Sequence, residues 1–275
     1  MSTEEKSLAQ VLADLPDADR ARMLDALSAE TLSDLMNSWE FLARPKQKPP
    51  AGNWRIWLIM AGRGFGKTRT GAEWVRGKVE AGTARRIALI GRTAADVRDV
   101  MVEGPSGIIA ISAPGMVPTY IPSKRKLVWP NGAVAQMFSA DEPNLLRGPQ
   151  FDCAWADELA AWKYYEAFDQ VMFGLRLGSD PRCVVTTTPR PVKIIRDLLA
   201  AKNCTVTTGS TFENRANLAP QFFEEIVKKY EGTSLGQQEL YAQVIDEMPG
   251  ALWSRDLLEN CRTNEVTHSL VRTVV

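Results

Sequence analysis

The chain has 275 residues, room for one large or two modest domains, and its 45% hydrophobic and 24% charged residues are ordinary for a globular protein. Its 33 basic and 33 acidic residues cancel, so no overall field recruits nucleic acid. No apolar run reaches the ~20 residues that span a bilayer, and the polar, acidic start is unlike a signal peptide. The four cysteines are scattered and suit a reducing cytoplasm, while the single histidine, His268, excludes histidine-based metal or triad chemistry from the body of the chain.

Residues 1–43 are predicted to form a helical segment. Acidic residues dominate it, Leu15-Pro16 interrupts the helical pattern, and an apolar stripe follows at helical spacing. The stripe consists of Met23, Leu24, Leu27, Leu32, Leu35 and Met36. Such helices either pack on the main domain, which is the simpler interpretation, or form a partner-binding pair.

A proline-rich stretch, residues 44–52, is predicted to be an extended connector. It contains Gln47, just before an apolar run. A glutamine at this place can read the edge of an adenine with its amide, or it can be a solvated linker residue. The residues alone favour neither interpretation.

The apolar run Ile56–Ala61 leads into a glycine-rich turn and then a predicted helix over residues 69–80. Strand, glycine-rich loop, Lys-Thr and helix are the pattern of a nucleotide phosphate-binding loop. Backbone N–H groups that curl inward at the glycines, together with the positive helix end, would hold phosphate oxygens. The lysine would reach the β- and γ-phosphates, and the threonine would offer its hydroxyl to Mg²⁺. The candidate nucleotide-binding residues are Ala61, Gly62, Arg63, Gly64, Phe65, Gly66, Lys67 and Thr68.

One position departs from the usual loop pattern. Glycine is expected five residues before Gly66, where this chain has Ala61, and Gly62 comes one residue late. Alanine suits that position if its φ is negative. The alternative interpretation is a glycine-rich turn between an ordinary strand and helix.

A second buried strand is predicted at residues 86–91, followed by a helix over 94–101 that Thr93 can cap. Residues 126–138 alternate about Asn131-Gly132, which predicts a β-hairpin. The basic run 124–126 just before it is interpreted as a solvated tip or as a contact for a phosphate backbone.

Two further strands are predicted to end in polar side chains. Residues 151–158 finish in Asp157 and Glu158, and residues 180–190 contain Thr186, Thr187 and Thr188. In a phosphate-loop enzyme the first acid holds the Mg²⁺ shell, and the second can deprotonate the attacking water. The threonine hydroxyls would lie near the γ-phosphate. The alternatives are a helix N-cap for the acids and simple β-propensity for the threonines.

Another strand is predicted at residues 203–209, then helices over 217–230 and 235–244. Strands that alternate with helices predict an α/β fold with a mainly parallel sheet and helices on both faces. Right-handed crossovers would bring the carboxyl ends of the strands, and both motifs, to one edge.

Several ordered motifs resemble those of the large terminase subunit of tailed bacteriophages, prophages and gene-transfer agents. They are the segment Trp57–Trp74, Asp157-Glu158, residues 186–190 and Gly250-Ala-Leu-Trp253. The resemblance covers roughly residues 39–255 and implies a phosphate-loop ATPase of the additional-strand type. It implies a Mg²⁺-dependent ATPase that moves double-stranded DNA into a procapsid.

Residue roles follow from the resemblance at matching positions. Lys67 and Thr68 would bind phosphate and Mg²⁺, and Glu158 would be the catalytic base. Arg63 corresponds to the family's loop arginine, which contacts the γ-phosphate. Thr186 to Thr188 correspond to the motif that couples hydrolysis to movement, and Gln47 to an adenine-reading glutamine. Arg147 lies where some members carry an arginine finger for the neighbouring subunit, with a surface salt bridge as the alternative.

The resemblance also implies an organisation and partners. We expect an ATPase domain over residues 44–250, with a small helical lid at about 212–250, and a linker toward a nuclease domain over 251–275. No cluster of acids suited to two metals follows residue 255, so DNA cleavage by this chain is not expected. Expected partners are double-stranded DNA, the portal and procapsid, the small terminase subunit, and further copies of the chain in an active ring, with a monomer in isolation. The location would be the host cytoplasm, outside the mature virion.

Two other functions fit the same residues. One is a helicase-like or repair ATPase that uses the same core and separates strands. The other is a nucleotide-binding assembly module without turnover, which would bind ATP tightly and release no phosphate.

Overall fold

The computed structural model describes residues 6–244 together with residues 257, 261 and 262. Its N-terminal segment is helical, as predicted. The four helices are α1 (Leu8–Ala13), α2 (Asp17–Asp25), α3 (Ala29–Asn37) and α4 (Trp39–Leu42). The first three contain no buried residue, and Met36 at the end of the apolar stripe is 76% exposed. The connector is less extended than predicted, because Pro45 starts a 3-10 turn, Pro45–Gln47.

The rest of the described chain alternates strands and helices. The first half contains β1 (Ile56–Ala61), α5 (Lys67–Glu80), β2 (Arg86–Gly91), α6 (Ala94–Asp96), α7 (Ile108–Ile111), β3 (Thr119–Ile121), β4 (Lys126–Val128) and β5 (Val134–Ser139). The second half contains β6 (Cys153–Asp157), α8 (Glu166–Gly174), β7 (Arg182–Thr187), α9 (Lys193–Ala200), β8 (Cys204–Gly209), α10 (Pro220–Phe222), α11 (Lys228–Tyr230) and α12 (Ser234–Glu239). None of the described helices is both long and apolar enough to cross a membrane.

Eight strands form one sheet in the order β3-β4-β5-β2-β6-β7-β1-β8. The six strands from β5 to β8 in this order are parallel, and only the β3-β4-β5 pairings are antiparallel. Strand β7 lies between β1 and β6, so an additional strand separates the strand before the glycine-rich loop from the strand that ends in the acids. The mainly parallel α/β sheet of the additional-strand type is therefore confirmed.

Buried side chains cover both faces of this sheet. On one face Trp57 and Ile59 of β1 share a cluster with Val75 of α5. On the other face Ile56 and Leu58 share a cluster with residues of α8 and α9. This alternation follows from the period of two in a strand. It directs every second residue of β6 and β7 toward α5, the helix that follows the glycine-rich loop.

Several predicted elements differ in detail. Thr93 caps α6 by accepting a hydrogen bond from the Asp96 N–H, but the helix continues as a π-helix, Val97–Val102. The long helix predicted over 217–230 is broken into a 3-10 segment, α10, the π-helix Phe223–Val227 and α11. Strand β3, which the sequence pattern missed, adds a third strand to the predicted hairpin. The motif Gly250–Trp253 lies outside the described residues.

Candidate nucleotide-binding site

The glycine-rich loop runs from the end of β1 to the first residue of α5. Gly64 (φ +75°) and Gly66 (φ +97°) adopt the left-handed conformation that glycine tolerates without cost. Ala61 is the last residue of β1 and needs no such freedom. Gly62 is required for a different reason, because a Cβ there would lie 2.7 Å from the Leu240 carbonyl oxygen. The shift of one glycine by one position therefore reflects a contact with the segment that precedes residue 244.

Lys67 lies where both motifs meet. Its Nζ donates hydrogen bonds to the Ala61 carbonyl oxygen at 3.0 Å and to Thr188 Oγ1 at 3.0 Å, and it lies 3.7 Å from Glu158 Oε1. The side chain is only 8% exposed. The structure thus brings the lysine of the loop to the acids and threonines that end β6 and β7, as the topology predicts.

The two acids have different environments. Asp157 is buried, and its Oδ1 accepts a hydrogen bond from Thr186 Oγ1 at 2.5 Å. Burial, reinforced by the neighbouring Glu158 charge, raises the pKa of Asp157 to about 7. Glu158 has a positive φ of 50°, which is uncommon for a residue with a side chain. Its carboxylate is 43% exposed and accepts a hydrogen bond from the Thr188 N–H, so it faces the space above Lys67.

The three threonines at the end of β7 each make a different contact. Thr186 donates to Asp157, Thr187 Oγ1 accepts a hydrogen bond from the Ala160 N–H at 3.1 Å, and Thr188 contacts both Lys67 and Glu158. All three are buried. β-propensity alone does not account for hydroxyls that link the lysine to both acids.

Arg63 is held by a residue that the sequence pattern did not single out. Its Nε donates to Glu239 Oε2 at 2.7 Å, and this hydrogen bond raises the pKa of Arg63 above its usual range. Its backbone N–H donates to the Glu239 carbonyl oxygen, and its carbonyl oxygen accepts from Thr211 Oγ1. Asn214 donates to the Gly64 carbonyl oxygen at 2.6 Å. The predicted lid and the residue before it therefore contact the loop directly.

Gln47 lies behind the loop rather than on a solvated linker. It is buried, its Oε1 accepts from Arg44 Nε at 3.1 Å, and its Nε2 donates to Thr70 Oγ1 at 3.1 Å. Arg44 in turn donates to the Phe65 carbonyl oxygen and lies over the Phe65 ring. The amide is thus occupied by protein groups in this structure, and the reading of adenine by Gln47 stays a prediction.

Arg147 lies apart from this cluster. It follows the 3-10 segment Pro143–Leu146 after β5, at the same edge of the sheet, and its side chain is exposed. Within the residues that the structure describes, it forms no ion pair, which disfavours the surface salt bridge considered as the alternative.

A cavity of about 540 Å³ opens above these groups. Among its lining residues are Gly64, Gly66, Lys67, Thr68, Asp157, Glu158 and Thr188. The described residues contain no group of three acidic, histidine or cysteine side chains that could hold a metal by themselves. One carboxylate and one hydroxyl nevertheless fit Mg²⁺, because this ion keeps several waters and is completed by substrate phosphates in such sites.

Asp157→Asn is expected to stabilise the nucleotide-free protein, and more so at about pH 8 than at about pH 5. A folded-state pKa near 7, above the usual 3.8, means that this group's contribution to stability is full below pH 3.8 and is lost as pH rises to about 7. Asparagine carries no charge and removes that loss. Thermal unfolding across this pH range should show a gain of at least about 1 kcal/mol, or about 2–4 °C, above neutrality. Exposed Asp141→Asn is the control, and an equal gain at both pH values would contradict the expectation.

Comparison with known protein families decides the identity of the chain. A family model described as "Terminase large subunit, T4likevirus-type, N-terminal" matches residues 58–260. The chain belongs to this family of large terminases. No curated protein sequence matches it.

Solved structures of large terminases share the fold of this terminase chain. The ATPase domain of the large terminase of Thermus phage P74-26 aligns with a TM-score of 0.57 and 14% identity over 72% of this chain and 94% of that one. The large terminase of another thermophilic bacteriophage, in complex with ADP, aligns with 0.57 and 17% over 79% and 53%. The HK97 bacteriophage large terminase aligns with 0.55 and 15% over 71% and 47%. The terminase chain thus spans about half the length of these last two proteins.

Proposed function

We propose that this terminase chain is an ATP-hydrolysing, Mg²⁺-dependent motor domain that translocates double-stranded DNA into a procapsid. The observation that carries the proposal is the approach of Lys67 Nζ to Glu158 Oε1, 3.7 Å, at the carboxyl edge of a parallel sheet. A loop lysine beside an acid that follows a buried parallel strand is the arrangement that a phosphate-loop hydrolase requires.

Each residue has a role in this proposal. The N–H groups of the loop and the positive end of α5 bind the phosphates, and Lys67 exchanges its present carbonyl partners for β- and γ-phosphate oxygens. Thr68 and Asp157 would hold Mg²⁺, which when bound neutralises charge on the phosphates. The Phe65 side chain is buried, so only its backbone could serve the nucleotide.

Glu158 acts as general base in the proposed reaction. Its exposed carboxylate takes a proton from the water that attacks the γ-phosphate, while Arg63 stabilises the charge on the phosphate once it leaves Glu239. Arg147 acts from a neighbouring subunit, because its exposed side chain points to no partner within the described chain. Thr188, which contacts Lys67 and Glu158 at once, senses loss of the γ-phosphate and transmits it along β7.

The partners follow from this function. We propose that the active form is a homo-oligomeric ring on the portal of the procapsid, with the small terminase subunit as a further partner, in the cytoplasm of the host. Balanced net charge fits weak DNA contact by each subunit, so affinity for DNA should fall as salt rises.

Phosphate release from Mg²⁺-ATP, with and without double-stranded DNA, tests the function. Lys67→Ala is expected to remove detectable turnover and to weaken nucleotide binding strongly, because a buried cation that balances the phosphates is lost. Lys78→Ala on the far end of α5 is a matched control. Tight ATP binding with no phosphate release by the unmodified chain would favour the assembly module, and strand separation would favour the helicase-like enzyme.

A further inference from the structure

The indole of Trp155 fills the space between α5 and the strand that ends in the acids. Trp155 is fully buried in β6. It stands two residues before Asp157, so both side chains project from the same face of the sheet, toward α5. A Cβ at Gly71 of α5 would lie 2.3 Å from Trp155 Cε2, so the helix approaches the ring as closely as a glycine allows.

A hydrogen-bond chain with a defined direction leads from this indole to Asp157. Trp155 Nε1 donates to Thr186 Oγ1 at 2.9 Å. An indole can only donate, so the threonine hydroxyl accepts there and its own hydrogen must go elsewhere. Asp157 Oδ1 lies 2.5 Å from that hydroxyl, whereas the Ala156 carbonyl oxygen lies 3.4 Å away. The Trp155 N–H therefore directs the Thr186 hydroxyl to one oxygen of the carboxylate.

This chain determines which part of Asp157 is free. Oδ1 is occupied by Thr186, while Oδ2 accepts no hydrogen bond from any residue that the structure describes. Asp157 lines the cavity that also contains Thr68. With Oδ1 held, rotation of the carboxylate is restricted and Oδ2 remains available to a ligand in the cavity.

We propose that Trp155 is a positioning residue that, through Thr186, orients Asp157 toward the divalent cation of a bound nucleotide. The inference rests on the proposed function, since it requires a cation–nucleotide complex in this cavity. Outer hydrogen-bond partners that orient a metal-binding carboxylate are a general feature of metal sites. The alternative is that the ring only fills space, in which case its N–H is dispensable.

Trp155→Phe separates the two, because phenylalanine keeps an aromatic ring and lacks the donor. The readout is the affinity for a fluorescent N-methylanthraniloyl-ADP, measured with Mg²⁺ and with EDTA, which requires no turnover. The variant is expected to lose about tenfold or more of the affinity gained with Mg²⁺. Its affinity in EDTA should equal that of the unmodified chain. An undiminished gain with Mg²⁺ would overturn the proposal.

Thr186 supplies a second test that survives a folding defect in Trp155→Phe. Thr186→Ser keeps the hydroxyl and should keep the Mg²⁺ gain, whereas Thr186→Val should lose as much as Trp155→Phe. The double variant should lose no more than either single one, because both break the same chain. Additive losses would overturn it. If the unmodified chain gains nothing from Mg²⁺, the cation site of the proposed function fails as well, which distinguishes that outcome from a failure of Trp155 alone.

Discussion

Replacing Arg147 by alanine is expected to lower ATP hydrolysis by roughly 10³-fold or more, the usual contribution of an arginine that stabilises phosphoryl transfer. The residue is exposed at the sheet edge that carries the cavity, yet it does not line the cavity of its own subunit. It can therefore reach the nucleotide of a neighbour more readily than its own. Nucleotide binding and thermal stability of the variant should change little, because the described contacts of this side chain hold no part of the fold.

A mixing experiment decides whether Arg147 acts on a neighbour. An Arg147→Ala subunit still has Glu158, and a Glu158→Gln subunit still has Arg147. Interfaces between the two kinds contain one complete site, so a mixture should hydrolyse ATP faster than either variant alone. Arg125→Ala, an exposed arginine held by Glu142 at 3.1 Å, is the control. Activity of the mixture no higher than that of its components, or activity per subunit independent of protein concentration, would reject the action in trans.

Glu158→Gln is expected to reduce the rate of hydrolysis by about 10²- to 10⁴-fold, since a positioned general base contributes that much. The amide keeps the shape and can still accept the hydrogen bond that the Thr188 N–H donates to Glu158 Oε2. The backbone conformation at φ +50° is unaffected by this change. Binding of ATP should persist, so the variant should accumulate a stable ATP complex.

Rapid-quench measurement of a single turnover separates this chemical step from product release. Glu142→Gln, an exposed acid outside the cavity lining, is the matched control. If Glu158→Gln hydrolyses ATP at the rate of the unmodified chain, the general base is another group. A variant that no longer binds ATP would instead give Glu158 a role in holding Lys67, whose Nζ lies 3.7 Å away.

The amino-acid sequence by itself determined the strands, the main helices and the edge at which the motifs meet. Apolar runs that end in glycines or acids predict buried parallel strands, and the hand of crossover connections then leaves one arrangement of their ends. The helix breaks at residues 97–102 and 223–227 were not predictable, because local pattern does not distinguish an α-turn from a π-turn. The family resemblance also came from short motifs alone, and the family model confirmed it.

Only the tertiary structure decided which groups touch one another. Glu239 pairs with Arg63, and Gln47 turns its amide to Thr70, although neither contact has a spacing that a sequence pattern could reveal. The direction of the hydrogen bonds from Trp155 to Asp157 likewise depends on the register of β6 against β7. The reason is physical: periodicity records which face of an element is buried, whereas a hydrogen bond depends on the separation and angle of two atoms brought together by the whole fold.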